Sequence, residues 1–167
     1  MRRIELYLVA FLILAAACSR SGSTTMVGKL APDFRANDLT GRTIYLNAEL
    51  KRPVVLSFFA TWCAPCRDEI PYLIDLHRRF EGRATILCIV VDPENTDKVR
   101  SIASSLSITY PILMDEGQKI MESYGAGTLP STFLIGPDGR IRSHFKGFGE
   151  AEAKALAASI ERLTNSK

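Results

Sequence analysis

Two nearly continuous apolar runs, residues 54–60 (VVLSFFA) and 86–91 (ILCIVV), constrain this chain more than any other feature. Strands that are apolar on both faces sit in the middle of a sheet covered by helices on either side. Between them, residues 69–80 place Ile70, Leu73, Ile74 and Leu76 near one helical face. His77, Arg78 and Arg79 close that helix and Gly82 stops it. Residues 131–135 (STFLI) follow a proline, and residues 141–145 (IRSHF) alternate as a half-exposed strand does. Pro137-Asp138-Gly139 joins these two as a hairpin turn.

Three more helices are expected. Residues 97–106 carry Val99, Ile102, Ala103 and Leu106 at helical spacing behind Thr96 as cap. Residues 120–124 form a shorter one ended by Gly125, and residues 151–163 set Ala153, Leu156, Ile160 and Leu163 on one stripe. Upstream, residues 33–46 read as a β-hairpin turning at Thr40-Gly41. This order predicts an α/β fold, a mixed central β-sheet flanked by helices.

A length of 167 residues suits one domain with a real core. The balance of 21 Lys+Arg against 18 Asp+Glu gives no reason to expect a nucleic-acid partner. Four cysteines are too few for a disulfide-built scaffold.

The first residues are set apart. Behind Met1-Arg2-Arg3, an apolar run over residues 6–17 is too short to span a bilayer but suits a secretory signal. Residues 19–25 are small, polar and without periodicity, as in a flexible tether. The expected division is residues 1–17 as signal peptide, 18–27 as attachment site and tether, and 28–167 as the folded domain.

The chemistry-bearing motif is Trp62-Cys63-Ala64-Pro65-Cys66, at the junction of the first apolar strand with its helix. The first amides of a helix are unpaired and its dipole is positive there, so a thiolate at Cys63 is stabilised below the free-thiol pKa. Two intervening residues bring both sulfurs onto one turn, where they can bond or separate. Pro65 suits a first turn. Cys63 is expected to be reachable, to attack a substrate disulfide, and Cys66, turned inward, to resolve the mixed disulfide. Glu69, three residues after Cys66, is its neighbour on the helix and a candidate proton acceptor. The alternative is that it is only a first-turn acid favoured by the dipole.

Other roles for the pair fit less well. A zinc site needs further ligands at metal spacing, whereas only Cys88, His77 and His144 remain, so no metal is expected. Covalent haem needs a histidine where Arg67 stands. A two-residue loop gains little from a structural disulfide. Cys88, between Leu87 and Ile89, reads as a buried, inert thiol.

With these residues in view, the chain resembles the TlpA/ResA-type extracytoplasmic thiol-disulfide oxidoreductases, thioredoxin-like members of the AhpC/TSA-redoxin superfamily. The resemblance runs over residues 28–163: Ala31-Pro32-Asp33-Phe34, FFATWCAPCRDEIP, residues 110–115 (YPILMD) and GTLPSTFLIGPDGRI. It implies a thioredoxin-like fold with an N-terminal β-hairpin and a central helix–strand insert over residues 95–127. It implies a cis Pro130 facing the cysteines, a Leu129 backbone that pairs with an extended substrate segment, and Trp62 as an apolar wall. Where cytoplasmic thioredoxins carry a buried Asp, six residues before the first cysteine, this chain has Ser57. The pattern CxxCxxExP, ending at Pro71, resembles ResA-type members whose Glu belongs to the active site, which implies that role for Glu69.

Residues 14–18 (LAAAC) resemble a bacterial lipoprotein signal, with Ala15 where Leu is favoured. That implies an acylated Cys18 and a membrane-tethered protein on the periplasmic side. An ordinary cleaved signal ending near Ala17 and an uncleaved anchor are the alternatives. The resemblance also implies no cofactor beyond a redox-active Cys63–Cys66 disulfide, an exported protein as substrate, for example in cytochrome c maturation, and a membrane thiol-transfer reductase as electron donor. The same residues serve a disulfide oxidant, which differs only in potential. A peroxiredoxin-like peroxidase would carry Thr and Pro where Ala60 and Leu56 stand. A copper-handling thiol module would space its cysteines differently.

Overall fold

The computed structural model describes residues 25–165. A central sheet of five strands runs in the order β5-β4-β3-β6-β7. Its strands are β3 (Val54–Phe59), β4 (Thr85–Val90), β5 (Ile112–Met114), β6 (Ser131–Ile135) and β7 (Ile141–Lys146). β3 pairs parallel with β4 and antiparallel with β6, so the sheet is mixed, as expected. The apolar runs form the adjacent strands β3 and β4, buried at every position but Thr85, and β6 on the other side of β3 is buried throughout. β7, at the edge, is buried fully only at Ile141.

The N-terminal hairpin consists of β1 (Arg35–Asn37) and β2 (Thr43–Tyr45), turning through Gly41 at φ +86°. It is shorter than the residue pattern suggests, because Leu46 opens α1 (Leu46–Glu49) instead of extending β2. Helix α2 (Ala64–Arg79) begins well before its apolar stripe and continues through Pro71. Helices α3 (Thr96–Ser105), α4 (Lys119–Tyr124) and α5 (Glu150–Asn165) complete the fold. The expected Thr96 cap is not what starts α3. Asn95 is its N-cap, without a side-chain cap bond, while the Thr96 hydroxyl donates to Pro93 O at 2.7 Å.

Alternation along the strands sorts the two faces of the sheet. Phe58 and Phe133 point to the face where Tyr124 of α4 packs, with ring centroids 5.5 and 5.2 Å from it. Their neighbours Ser57 and Thr132, opposite each other in the ladder, point to the other face, under α2. Helix α5 lies beside α2 there, joined by the Tyr72 hydroxyl on Ala153 O and the Arg79–Glu161 ion pair.

Candidate active site

The site lies where β3 ends and α2 begins. Cys63 is the N-cap of α2, with extended backbone, and Pro65 occupies the first turn. Cys63 Sγ accepts the Cys66 amide at 3.2 Å, so an unpaired helix-start donor already points at the first sulfur. The two cysteines are joined as a disulfide, with Cα atoms 5.3 Å apart.

One expectation needs correction. Cys63 is not openly presented: it is 4% exposed, against 1% for Cys66. In this disulfide-bonded state Cys63 is shielded together with Cys66, and what stands in solvent beside them is Trp62, at 67% exposure.

The loop before Cys63 is tied on several sides. The Cys63 amide donates to Ala60 O at 3.1 Å, and Arg67 Nη1 donates to Thr61 O at 3.3 Å. Asp92, buried just beyond β4, accepts the Thr61 amide at 2.9 Å and its hydroxyl at 2.5 Å. Asp92 was not singled out from sequence; its signal is an acid directly after a continuous apolar strand.

Glu69 is 3% exposed, so it is no solvent-facing first-turn acid. Its Oε2 accepts the Ser57 hydroxyl at 2.8 Å and its Oε1 the Thr132 hydroxyl at 2.7 Å, while the two hydroxyl oxygens lie 3.0 Å apart. Burial pushes the carboxyl pKa up, and the two hydroxyls hold it down in part. This triangle satisfies either protonation state. Ionised, the carboxylate takes both hydroxyl protons. Protonated, it donates to Thr132, Thr132 to Ser57 and Ser57 back to Oε2, which closes the ring.

Pro130 is buried at the start of β6, and the Leu129–Pro130 peptide bond is cis. Because Ser131 pairs with Phe58, this bond lies at the same end of the sheet as the disulfide. Leu129 is half-buried against the core. Cys88 is buried, and burial drives its thiol pKa well up, as expected of an inert filler. Among the described residues no cluster of metal-binding side chains occurs. Cys18 lies outside the described residues.

The profile of the AhpC/TSA family matches residues 27–144. The chain belongs to the AhpC/TSA family. Within that family it is 34% identical over 139 residues to the thiol-disulfide oxidoreductase ResA of Bacillus thuringiensis (strain Al Hakam), covering 83% of this chain and 79% of that protein. ResA of Geobacillus thermodenitrificans is 35% identical over 121 residues, 72% of this chain and 70% of that protein. The thioredoxin domain of a thiol-disulfide oxidoreductase from Bacteroides vulgatus superposes with a TM-score of 0.73 at 22% identity, covering 82% of this chain and 99% of that one. This AhpC/TSA member is therefore a thioredoxin-like redox enzyme, a thiol-disulfide oxidoreductase related to ResA.

Proposed function

We propose that the enzyme reduces disulfides in exported proteins, for example during cytochrome c maturation, from a position tethered outside the cytoplasm. The observation that carries this reading is the Cys63–Cys66 disulfide at the start of α2, with a helix amide already directed at the first sulfur. In the reduced enzyme that amide and the helix dipole favour a Cys63 thiolate. The thiolate attacks one sulfur of the substrate disulfide, which breaks, and the departing substrate sulfur takes up a proton. Cys66 then gives its proton to the Glu69 carboxylate and attacks Cys63 Sγ. The mixed disulfide breaks, the second substrate sulfur leaves as a thiolate that takes up a proton from water, the Cys63–Cys66 bond forms, and Glu69 returns its proton to solvent. Two electrons have passed to the substrate, and a membrane thiol-transfer reductase returns them.

Trp62 walls the attacking sulfur, and the backbone at Leu129, held by cis Pro130, takes the extended substrate segment in strand fashion. Residues 1–17 act as the export signal and an acylated Cys18 as the anchor, with residues 28–167 as the working domain on the periplasmic side. No cofactor is needed beyond the cysteine pair.

Redox equilibration of Cys63/Cys66 against a thiol–disulfide buffer tests the direction. A midpoint near that of thioredoxin, about −270 mV, supports the reductase. A midpoint near that of the oxidant DsbA, about −120 mV, reverses it.

A further inference from the structure

The two ends of the central sheet differ in chemistry. Phe59 opposite Val90 and Phe58 opposite Ser131 mark the disulfide end; Val54 opposite Thr85 and Ile135 marks the far end. Six residues of strand separate these ends by roughly 20 Å.

Four segments gather at the far end. Residues 28–31 pair with the turn into β7, through Gly28 N to Ile141 O at 2.8 Å and Ala31 N to Gly139 O at 2.8 Å. Residues 50–53 lead into β3, residues 80–84 lead into β4, and residues 136–140 join β6 to β7. The Thr85 amide on Pro53 O, at 2.9 Å, ties two of them together.

These segments bring together Lys29, Lys51, Arg83 and Arg140, all exposed, and the half-buried Arg52. None of these cations forms an ion pair among the described residues. Of the nearby acids, Asp138 is taken by Arg142, whereas Glu49, which accepts only the neutral Thr85 hydroxyl at 3.4 Å, and Glu81 keep their charges, so the five cations face two unpaired acids. At the disulfide end the charges are mixed: Asp68, Glu94, Asp97 and Glu116 stand among Arg67, Lys98, Lys119 and Lys146. The far end also exposes Val27 at 42% and Leu30 at 63%, two of the four large apolar side chains exposed in the described residues. Leu50 and Leu30 converge there on Gly139.

The chain outside the described residues joins this same end. It contains the apolar run 6–17 and then Cys18 and the small, polar residues 19–24. Seven residues, 18–24, can span at most about 25 Å of chain, enough for this face to reach a surface that holds the N-terminus. We propose that the far end is a docking face for an anionic bilayer. The cations meet lipid headgroups, Val27 and Leu30 enter the interface, and the Cys63–Cys66 end points away from the membrane. The proposal rests on the reading that the chain is held at a membrane. It adds that the domain has a fixed polarity there, with the disulfide facing soluble partners.

The test uses the full chain on phosphatidylcholine vesicles, with or without phosphatidylglycerol, bearing a headgroup-level spin-labelled lipid as fluorescence quencher. Trp62, the one tryptophan, reports the disulfide end. A Trp62→Phe/Leu30→Trp variant reports the far end. The far-end reporter is expected to be quenched on anionic vesicles and not on neutral ones, with Trp62 unquenched on both. Raising the salt, or replacing Lys29, Lys51, Arg52 and Arg83 together by Gln, should abolish that quenching. Each cation removed should lower the docked-to-free ratio by about fivefold at low salt. Equal quenching of the far end on both lipids, no quenching on either, or quenching of Trp62 overturns the docking face. Disulfide exchange assayed in solution with the charge-removed variant is independent of these readouts. Loss of the reductase reading there leaves the docking result standing, and the reverse.

Discussion

The Ser57 hydroxyl donates to Glu69 Oε2 at 2.8 Å, with both side chains almost wholly shut from water. Ser57 stands six residues before Cys63, on β3, and Glu69 stands three residues after Cys66, on α2. Cytoplasmic thioredoxins carry their buried acid at the strand position. Here the helix delivers a carboxyl to the hydroxyl that occupies it, and Thr132 fixes its other oxygen.

Replacing Glu69→Gln removes the proposed proton acceptor and keeps the volume. Turnover is expected to fall by about 100-fold, with most of the loss in resolution of the mixed disulfide. The pH dependence of Cys66 titration should change with it. Thr132→Val leaves the carboxyl but removes one donor to its ionised form, so the acid limb of activity should move up by about one pH unit. Unaltered pH profiles in both variants would leave Glu69 a purely structural group.

Stability carries the same sign information. Burial raises the Glu69 pKa, so the folded state holds this proton more tightly than the unfolded chain. Its contribution is fully present below the ordinary glutamate pKa and is lost as pH rises through the raised folded value. Glu69→Gln lacks this loss. The melting temperature of Glu69→Gln relative to the parent should therefore increase across that window, and a difference independent of pH would contradict the burial argument.

The order of the two thiols can be read by trapping. Cys66→Ser should accumulate a mixed disulfide through Cys63, visible by mass spectrometry, whereas Cys63→Ser should form none and should lose insulin reduction. Cys88 should stay unmodified by alkylating reagents until the protein unfolds, because it is buried and its pKa is high. Trapping through Cys66 instead would reverse the assigned roles.

The central strands β3 and β4 were legible because burial on both faces leaves a nearly continuous apolar run; β6 runs Ser131–Ile135 as its residues suggest. Helix α2 starts at Ala64, ahead of its visible stripe, because its first turn serves the cysteines and leaves the apolar rhythm to begin at Ile70. The β1 and β2 strands span three residues each, too few for alternation to set their ends. Glu69 was found by its spacing from Cys66, but its hydroxyl partner Thr132 lies 63 residues away in the chain. Local periodicity cannot register such a partner. The cationic end is hidden for the same reason, since its residues are scattered over four loops that only the sheet brings together.

Asp92 shows what such a distant partner does for the site. Its carboxylate holds the Thr61 amide and hydroxyl from 31 residues away, and Thr61 is two residues before Cys63. Asp92→Ala leaves both Thr61 donors buried without an acceptor, a loss of about 3 kcal/mol, whereas Asp92→Asn keeps one acceptor oxygen and should lose about 1 kcal/mol. Because the same loop also anchors the Cys63 amide on Ala60, loosening it should slow alkylation of reduced Cys63 several-fold in Asp92→Ala. Denaturant unfolding and alkylation rates, measured on the same samples, check both expectations. A variant that loses stability while Cys63 reacts as before would assign Asp92 to the fold alone; a parallel loss in both places it in the support of the attacking thiol.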